Sequence, residues 1–189
     1  MPLLRQGGTL HTRGMASQSP VGPSLKTIPE GDDRERLVCA DCGYISYENP
    51  KIIVAAVCTW QDQVLICKRA IEPCIGTWTI PAGYMELGET TAEGAAREVL
   101  EEAGARINVT GLIGVFEIPR ISQIYIVHRA EMTDPDISAG FESEAVKLVA
   151  WADIPWDDLS FPSITWALRQ YQESAGPVHA VHEPEKKNG

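Results

Sequence analysis

The chain has 189 residues, of which 44% are hydrophobic and 22% charged, with a formal net charge of −10 at pH 7. Its length allows one domain of ordinary size with an appendage, and its acidic balance argues against binding to nucleic acid, whose backbone attracts basic surfaces. No apolar run approaches the roughly 20 residues of a membrane span, and the five cysteines lack the spacing of a secreted disulfide framework, so we expect a reducing, cytoplasmic location.

The first 37 residues have the composition of a disordered leader followed by a charged linker. Residues 1–29 contain three basic residues and no acidic residue among many Gly, Ser, Thr and Pro. The arginines and the missing acids are also features of a transit peptide, so targeting to an organelle is a minor alternative to the cytoplasm. Residues 30–36 form the linker.

A C-x-x-C motif followed by a glycine, Cys39 to Gly43, is half of a zinc-binding knuckle, in which the glycine permits a tight turn around the metal. No cysteine lies upstream of Cys39, and His11 is the only other soft ligand there. Since two thiolates cannot complete a tetrahedral structural site, we favour a knuckle-like segment over residues 38–50 that keeps the turn without the metal. Zinc bound by Cys39 and Cys42 is the alternative.

Strand-like segments follow Pro50 and surround one helix. Lys51–Thr59 is a β-branched apolar run typical of a buried strand, and Gln63–Lys68 forms a hairpin with it across a short polar turn. A loop then leads to a short strand near Thr77–Ile80. After the helix, the sequence predicts strands over residues 107–118, 123–130 and 146–151, a second helix from residue 163 to the Gly-Pro at 176–177, and a polar tail over residues 181–189.

Residues 83–105 predict the helix at the centre of this arrangement. Thr90, three residues before Glu93, has the spacing of a capping box, and Gly104 lies where helices commonly end in a left-handed residue. Between them, apolar residues recur at helical spacing: Ala92, Ala96, Val99 and Ala103. The sequence therefore predicts a capped helix with a narrow apolar stripe.

A second face of this helix carries three carboxylates at i+3 and i+4 spacing, those of Glu98, Glu101 and Glu102. Like charges so placed destabilise a helix by roughly 0.2–0.5 kcal/mol per pair. A solvated acidic face is the ordinary interpretation of such a cluster. The alternative is a site for Mg²⁺, because hard divalent cations prefer clustered carboxylate oxygens.

The wider spacing decides between these interpretations. Glu89 follows Gly83 after five intervening residues, and the run Arg97–Gly104 follows Glu89 after seven more. This spacing resembles the box of the Nudix hydrolase family, with Ala105 in the place of a usually bulkier aliphatic residue. The resemblance covers about residues 38–180. It implies an α/β/α sandwich around a mixed β-sheet, which the order of the predicted elements also fits. It further implies hydrolysis of a pyrophosphate bond, and that the knuckle is a remnant of the zinc ribbon of NADH pyrophosphatase relatives.

The resemblance implies roles for the residues of the box. Mg²⁺, or Mn²⁺ in its place, is expected to be bound by the carboxylates of Glu98 and Glu102, with the carboxylate of Glu101 and the carbonyl of Gly83 close by. Glu101 is also a candidate catalytic residue. Arg97 has the i+4 spacing to pair with Glu101 and orient it. Glu89 binds a further metal or holds Arg97, and a purely helix-stabilising pair is the alternative for these two residues.

A general base outside the box is implied by ADP-ribose and FAD pyrophosphatase relatives, in which a glutamate on the loop before the last strand assists. Glu142 matches the Glu-Ser of that loop. The second glutamate of those relatives, two places after the serine, is Ala145 here, and Glu144 is displaced by one residue. Glu144 is therefore the weaker candidate, and two solvated loop carboxylates are the alternative.

Segments outside the box bear on the substrate. Residues 122–125, Ser-Gln-Ile-Tyr, replace the Ser-Gln-Pro-Trp of NADH pyrophosphatases, which disfavours NADH, while Pro119 lies about where ADP-ribose-hydrolysing relatives have a proline. We expect Arg69 and Arg120 to contact phosphate. Phe116 and Tyr125 are candidates for stacking on adenine, with a position in the core as the alternative.

The sequence thus predicts a Mg²⁺-dependent hydrolase that releases AMP from a nucleoside diphosphate joined to another group, with ADP-ribose or FAD ahead of NADH. A MutT-like NTP pyrophosphohydrolase is the alternative within the family. A non-catalytic, nucleotide-sensing domain is disfavoured, because such domains usually lose box glutamates and this chain keeps them. We expect a small nucleotide conjugate as the partner rather than nucleic acid or membrane. Family relatives are often homodimers, which is the ground for expecting one here.

Overall fold

The computed structural model describes residues 22–173 and 176–181, and the chain divides into two compact units, residues 1–48 and 49–189. The first unit contains a three-stranded antiparallel sheet, β1 (Leu25–Thr27), β2 (Arg36–Val38) and β3 (Ile45–Ser46), in that order. Asp32 holds the turn between β1 and β2, since it accepts hydrogen bonds from the backbone N of Asp33 at 2.7 Å and from Arg36 Nε at 2.9 Å.

These strands lie in the region for which the sequence predicted a leader and a linker. Residues 22–37 form strands and a turn instead, and residues 1–21 lie outside the described residues. Each strand of this sheet is only two or three residues long, which is too short for hydrophobic alternation to mark it in the sequence.

The second unit is built on one mixed β-sheet and two α-helices. Its elements in chain order are β4 (Lys51–Trp60), β5 (Gln63–Arg69), β6 (Trp78–Thr79), β7 (Ala82–Tyr84), α1 (Thr91–Ala103), β8 (Ile107–Ile118), β9 (Gln123–Met132), β10 (Ser143–Ala150), α2 (Pro162–Glu173) and β11 (Val178–Val181). The main path of the sheet runs β10-β5-β4-β9-β8-β11, with β6 paired to β5 and β7 to β4. The β4–β9 and β8–β11 pairs are parallel and the other pairs antiparallel.

The two helices cover opposite faces of this sheet. Side chains alternate along β4, so that Val54, Ala56 and Cys58 pack with α1 while Ala55 and Val57 pack with α2. Full burial of an aliphatic side chain such as Val57 stabilises the fold by about 1.5–3 kcal/mol. The predicted α/β/α sandwich around a mixed sheet is confirmed.

Helix α1 begins and ends where the sequence predicted. The backbone N of Glu93 donates to Thr90 Oγ1 at 3.2 Å, and the backbone N of Thr90 donates to Glu93 Oε2 at 2.8 Å, which completes the capping box. Gly104 ends the helix with φ 63°, and its N–H donates to the carbonyl of Leu100 at 3.0 Å. These caps fix the start and the end of the helix that carries the acidic cluster.

The buried face of α1 is rotated from the predicted apolar stripe. Ala92 and Ala96 are only half-buried, and the fully buried apolar residues are Ala95, Val99 and Ala103. Glu98 and Glu102 follow Ala95 by three and seven residues, so both lie on the buried face of the helix. The rotation therefore takes two carboxylates out of water.

The last part of the described chain comprises α2 and β11. Helix α2 begins at Pro162, one residue before the predicted start, and Ile164 and Leu168 are buried on its predicted apolar face. Strand β11 was not predicted; it pairs in parallel with residues 114–117 of β8. No helix in the described part of the chain is long and apolar enough to cross a membrane.

A buried histidine in the sheet is expected to make stability depend on pH. His128 on β9 is 7% exposed, its Nε2 lies 3.0 Å from Thr91 Oγ1, and burial lowers its pKa. Below the ordinary histidine pKa of about 6.5, the unfolded chain binds a proton that the folded chain resists, so the free energy of unfolding falls as pH falls. One such group contributes at most about 1.4 kcal/mol per pH unit.

The variant H128Q is therefore expected to lose less stability than the wild type between about pH 7 and pH 5. Urea unfolding at several pH values measures the slope for each protein. Equal slopes of the free energy of unfolding against pH in the two proteins would show that His128 contributes nothing to the pH dependence of stability.

Candidate active site

A cavity of about 750 Å³ lies in the second unit, and acidic, basic and apolar side chains line it. Its acidic lining includes Glu98, Glu101 and Glu142. Its apolar lining includes Ile118, Ile121, Tyr125, Phe161 and Trp166. A volume of this size is typical of a small-molecule site, and the mixed lining can take a ligand that has both a charged and an aromatic part.

Gly83 on β7 lies directly against the acidic lining. A Cβ atom at this position would overlap with the carboxylate of Glu98, so only glycine allows the strand to come this close to the side chain. The family resemblance implied that the carbonyl of Gly83 lies close to the metal ion. The structure gives a second reason for a glycine at this position, because the missing side chain leaves the space that the Glu98 carboxylate fills.

Two carboxylates of α1 are buried next to β7, that of Glu98 against Gly83 and that of Glu102 at the backbone of Ala82. Glu98 and Glu102 are 8% and 7% exposed. Burial raises the pKa of Glu102 to about 8, with further increases from the charges of Glu98 and Glu142. Burial also raises the pKa of Glu98, against the opposing effect of Arg97. The protein thus keeps two carboxyl groups in an environment where their negative charge is unfavourable without a further cation.

Arg97 connects the carboxylates of the box. Its Nη1 donates to Glu98 Oε1 at 2.6 Å and to Glu101 Oε2 at 3.2 Å. Its Nε and Nη2 donate to the two carboxylate oxygens of Glu89 at 3.1 and 2.9 Å, and Nη2 also donates to the carbonyl of Tyr84 at 3.0 Å. A planar guanidinium with this many acceptors is fixed in orientation, and it fixes the carboxylates in turn.

Glu89 is held by Arg97 rather than lying free among the box carboxylates. Its Oε1 also accepts a hydrogen bond from the backbone N of Glu86 at 2.7 Å. The hydrogen bonds from Arg97 lower the pKa of Glu89 to about 2, with a further contribution from the Glu86 N–H. Of the two roles considered for Glu89, this arrangement matches the one in which it holds Arg97.

The loop before β10 docks on the end of α1. The backbone N of Ser138 donates to the carbonyl of Ala103 at 2.8 Å, and that of Gly140 donates to the carbonyl of Glu102 at 3.0 Å, so the loop satisfies two terminal carbonyls of the helix. The approach is close at Gly140, where a Cβ atom would overlap with the carbonyl oxygen of Glu101. We call residues 134–142 the docking loop.

The docking loop brings Glu142 to the acidic lining of the cavity. The charge of Glu142 raises the pKa of both Glu98 and Glu102, so the three carboxylates lie within electrostatic reach of one another. Glu144 is directed elsewhere, because its Oε2 pairs with Lys68 Nζ at 3.3 Å. The structure therefore separates the two base candidates that the sequence had placed side by side.

The two arginines expected to contact phosphate both line the cavity, in different ways. Arg69 Nε donates to the carbonyl of Pro73 at 2.7 Å, and its guanidinium lies 5.4 Å from the centroid of the Phe161 ring. It therefore fixes the loop after β5 while keeping its positive charge at the cavity. Arg120 lies in a 3₁₀ turn over residues 119–121 and is exposed.

The two aromatic candidates have different positions. Tyr125 lines the cavity, where burial raises its pKa and a hydrogen bond to Ser163 lowers it. Phe116 is 2% exposed and packs in the core under α2, with its ring centroid 6.4 Å from that of Trp166. This burial matches the alternative given for Phe116, a position in the core, because its place on β8 directs the side chain into the core that α2 covers.

Sequence reasoning missed the contribution of the start of α2. Phe161, Ser163 and Trp166 line the cavity, and Ile118 and Ile121 add to the apolar lining. The only signal was the density of large apolar residues in the run Phe161–Trp166, which also suits a core helix. A sequence pattern does not tell which of these residues lies at the edge of the core.

The carboxylates of the box suit a hard divalent cation, but Glu101 lies apart from Glu98 and Glu102. Within residues 22–173 and 176–181, no group of three or more His, Cys, Asp or Glu side chains is arranged to hold a metal ion, and the predicted trio is not brought together. The reason is Arg97, to which the exposed Glu101 turns. Glu98 and Glu102, buried oxygen donors with raised pKa values, have the chemistry that such a cation requires.

The cysteine pair does not fit a structural zinc ion. Cys39 is buried and Cys42 is exposed, and both thiols are free. Residues 22–38 contain no cysteine or histidine to supply the other two ligands of a tetrahedral site. The described part of the first unit therefore holds half of a zinc site.

Comparisons with known proteins cover both units. Residues 49–170 match the family model described as NUDIX domain, and residues 22–48 match a zinc-ribbon model described as Nudix N-terminal. Among solved structures, a NUDIX hydrolase from Nitrosomonas europaea is similar with a TM-score of 0.80 and 43% sequence identity, over 85% of this chain and 94% of that one.

Two named proteins are similar over shorter stretches. The ADP-ribose pyrophosphatase of Methanocaldococcus jannaschii is 28% identical over 116 residues, which are 59% of this chain and 69% of that protein. The human 8-oxo-dGDP phosphatase NUDT18 is 37% identical over 101 residues, which are 53% of this chain and 31% of that protein. This chain therefore spans less than a third of the human relative.

Proposed function

The chain belongs to the Nudix hydrolase family, and from that premise we propose that it cleaves the pyrophosphate bond of a nucleoside diphosphate joined to another group and releases AMP. ADP-ribose and FAD are the favoured substrates, ahead of NADH. The observation that carries the proposal is the pair of buried carboxylates, Glu98 and Glu102, of which Glu98 lies against Gly83 and lines a cavity of about 750 Å³. A pyrophosphate needs its charge neutralised for attack, and this pair can hold the neutralising ion.

Nudix hydrolases generally use divalent metal ions such as Mg²⁺. Here Glu98 and Glu102 would hold the ion, with the carbonyl of Gly83 as a further oxygen ligand, while Glu101 stays paired with Arg97. Once bound, the ion supplies charge neutralisation on the phosphate oxygens and activation of a water molecule. Arg97 orients two of these carboxylates through its hydrogen bonds to Glu98 and Glu101.

Glu142 is our candidate for the general base. Its docking loop is attached to the end of α1, which sets the distance between its carboxylate and the buried pair. A carboxylate positioned in this way can accept the proton of the attacking water. Glu144 is the poorer candidate, since it pairs with Lys68.

The remaining lining suits the other parts of a nucleotide conjugate. Arg120 is exposed at the cavity and Arg69 keeps its charge there, so both can interact with phosphate oxygens. Tyr125, Phe161 and Trp166 offer aromatic surface for a base or a flavin ring. The name of the Methanocaldococcus relative, an ADP-ribose pyrophosphatase, supports ADP-ribose among such conjugates.

A second candidate function is hydrolysis of a modified or ordinary nucleotide, in the manner of MutT. The observation that favours it is the similarity to a human protein named 8-oxo-dGDP phosphatase. The two functions differ in their products. A conjugate yields AMP and a phosphorylated partner, whereas a nucleoside triphosphate yields a monophosphate and pyrophosphate.

A substrate panel read by product mass tests the proposal. The purified full chain is incubated with Mg²⁺ and ADP-ribose, FAD, NADH, diadenosine polyphosphates, NTPs or 8-oxo-dGDP, each at the same concentration. We expect the highest kcat/KM for ADP-ribose or FAD, with AMP among the products. A higher kcat/KM for an NTP or for 8-oxo-dGDP would favour the second function.

A further inference from the structure

The two cysteines of the first unit lie in one tight turn. The backbone N of Gly43 donates to the carbonyl of Cys39 at 2.9 Å, and the backbone N of Cys39 donates to the carbonyl of Tyr44 at 2.8 Å. Gly43 has φ 73°, which permits the chain to reverse directly after Cys42. Residues three apart in such a turn have Cα atoms within about 7 Å, close to the range of about 4.4–6.8 Å that a disulfide spans.

The turn directs hydrogen-bond donors at one of the two sulfur atoms. The backbone N–H groups of Cys42 and Asp41, and the thiol of Cys42, hydrogen bond to the Cys39 sulfur and lower the pKa of that thiol. Donors aimed at a sulfur stabilise the thiolate, which is the form that reacts with disulfides and binds metals. Cys42 is the more accessible of the pair, since it is exposed while Cys39 is 8% exposed.

The matched zinc-ribbon region lacks the ligands that would give these thiols a structural role. Residues 22–48 contain two cysteines and no histidine. Two neighbouring thiols without a metal are left with the chemistry that they can perform on each other, which is oxidation to a disulfide.

We propose that Cys39 and Cys42 form a dithiol–disulfide couple that exchanges with small disulfides of the glutathione type. The exposed Cys42 thiolate attacks one sulfur of the oxidant, forming a mixed disulfide and releasing one glutathione thiolate. The Cys39 thiolate then attacks the Cys42 sulfur, forms the internal disulfide and releases the second glutathione. The two cysteines are oxidised by two electrons, and one oxidised glutathione is reduced to two glutathione molecules.

The other cysteines provide internal references for this reaction. Cys58 and Cys67 are buried in the sheet, and burial raises the pKa of both thiols, so they should stay reduced. Cys74 is exposed in the loop after β5 and has no second cysteine at C-x-x-C spacing. It can form a mixed disulfide with glutathione but not the internal bond.

Peptide mass mapping of the full chain tests the couple. The reduced wild-type protein, C39S and C42S are equilibrated with buffers of reduced and oxidised glutathione, and free thiols are blocked before digestion. In the wild type we expect an internal disulfide in the peptide that carries Cys39 and Cys42. In C39S, glutathione should accumulate on Cys42 several-fold above its level on wild-type Cys42, because the resolving thiol is missing. In C42S, the buried Cys39 should carry less glutathione than Cys74.

Two results would overturn the proposal. The first is a wild-type protein in which both thiols stay reduced in buffers that load Cys74 with glutathione. The second is zinc that co-purifies with the wild type in a fixed ratio and is lost in both variants, since that would show a metal site completed by ligands from elsewhere. The wild-type map does not depend on the folding of either variant.

Discussion

Replacing Glu102 with glutamine is expected to lower kcat for pyrophosphate hydrolysis by about two to four orders of magnitude. Glutamine keeps the size of the side chain and one of its oxygens, but it removes the negative charge that the buried site offers to a divalent cation. AMP release at saturating Mg²⁺ and substrate measures the effect. Addition of a chelator to the wild type should abolish the same activity.

The stability of this variant separates a lost metal ligand from a damaged fold. The pKa of Glu102, raised to about 8 by burial, means that the folded chain keeps a proton that the unfolded chain releases above about pH 4.5. The contribution of this group to stability is therefore full below about pH 4.5 and falls as pH rises towards 8. Glutamine has no proton to lose, so in chelator at neutral pH E102Q should unfold at the same temperature as the wild type or higher.

The matched control is E144Q, which makes the same chemical change at a carboxylate that pairs with Lys68 at the surface. Its kcat should stay within about twofold of the wild type, because Glu144 pairs with Lys68 and does not line the cavity, and loss of a surface ion pair changes stability by only about 0–1 kcal/mol. Wild-type turnover in E102Q would remove Glu102 from the metal site.

The sequence was most informative where local rules determine the structure. The capping box at Thr90 and the left-handed Gly104 follow from hydrogen bonds within one helix, and both were predicted correctly. The strand Ile107–Ile118 was also predicted with its bounds, because a long apolar run between turn residues has few alternatives. The family resemblance then implied which face of the helix meets the substrate.

The sequence was least informative where tertiary contacts choose between faces. Phe116 and Tyr125 are paired residues on neighbouring strands, yet one is buried under α2 and the other lines the cavity. The alternation of side chains along β8 and β9 indicates which residues share a face of the sheet. The packing of α2 on that face determines which of these residues remain accessible to a ligand. The start of α2 was missed as part of the site for the same reason.

The docking loop also depends on an approach that no local pattern encodes. Gly140 touches the backbone of α1 about forty residues earlier in the chain, and nothing next to it in sequence marks the contact. The resemblance singled out Glu142 on this loop but gave no account of how the loop is held. The loop is held by the close approach of Gly140 to α1 and by two backbone hydrogen bonds to the end of that helix.

The variant G140A is expected to destabilise the protein by about 2–3 kcal/mol and to lower kcat by roughly 100-fold. The new Cβ atom would overlap with the carbonyl oxygen of Glu101, and helix backbone cannot move aside as a flexible side chain can. The docking loop must therefore shift, and the carbonyls of Glu102 and Ala103 lose their donors. Thermal unfolding should show a decrease of roughly 4–12 °C in Tm.

A second glycine of the same unit provides the control. A Cβ atom on Gly111, in β8, meets no heavy atom within 4 Å, and its φ is not in the left-handed region. G111A should therefore be neutral or stabilise by about 0.4–1 kcal/mol, with unchanged kcat. An equal loss of stability in both variants would show that alanine itself, rather than the contact with α1, causes the effect.

A double variant tells whether the loss of activity in G140A passes through Glu142. E142Q alone should also lower kcat by about 100-fold, because it removes the candidate base without moving the docking loop. If G140A acts by displacing the same carboxylate, adding it to E142Q should cost little further activity while its full loss of stability persists. If the fold-loss of kcat in the double variant equals the product of the losses in the two single variants, G140A acts on the box through the backbone of Glu101 and Glu102. The stability and activity of the double variant thus report separately on the contact that holds the docking loop and on the carboxylate that the loop presents.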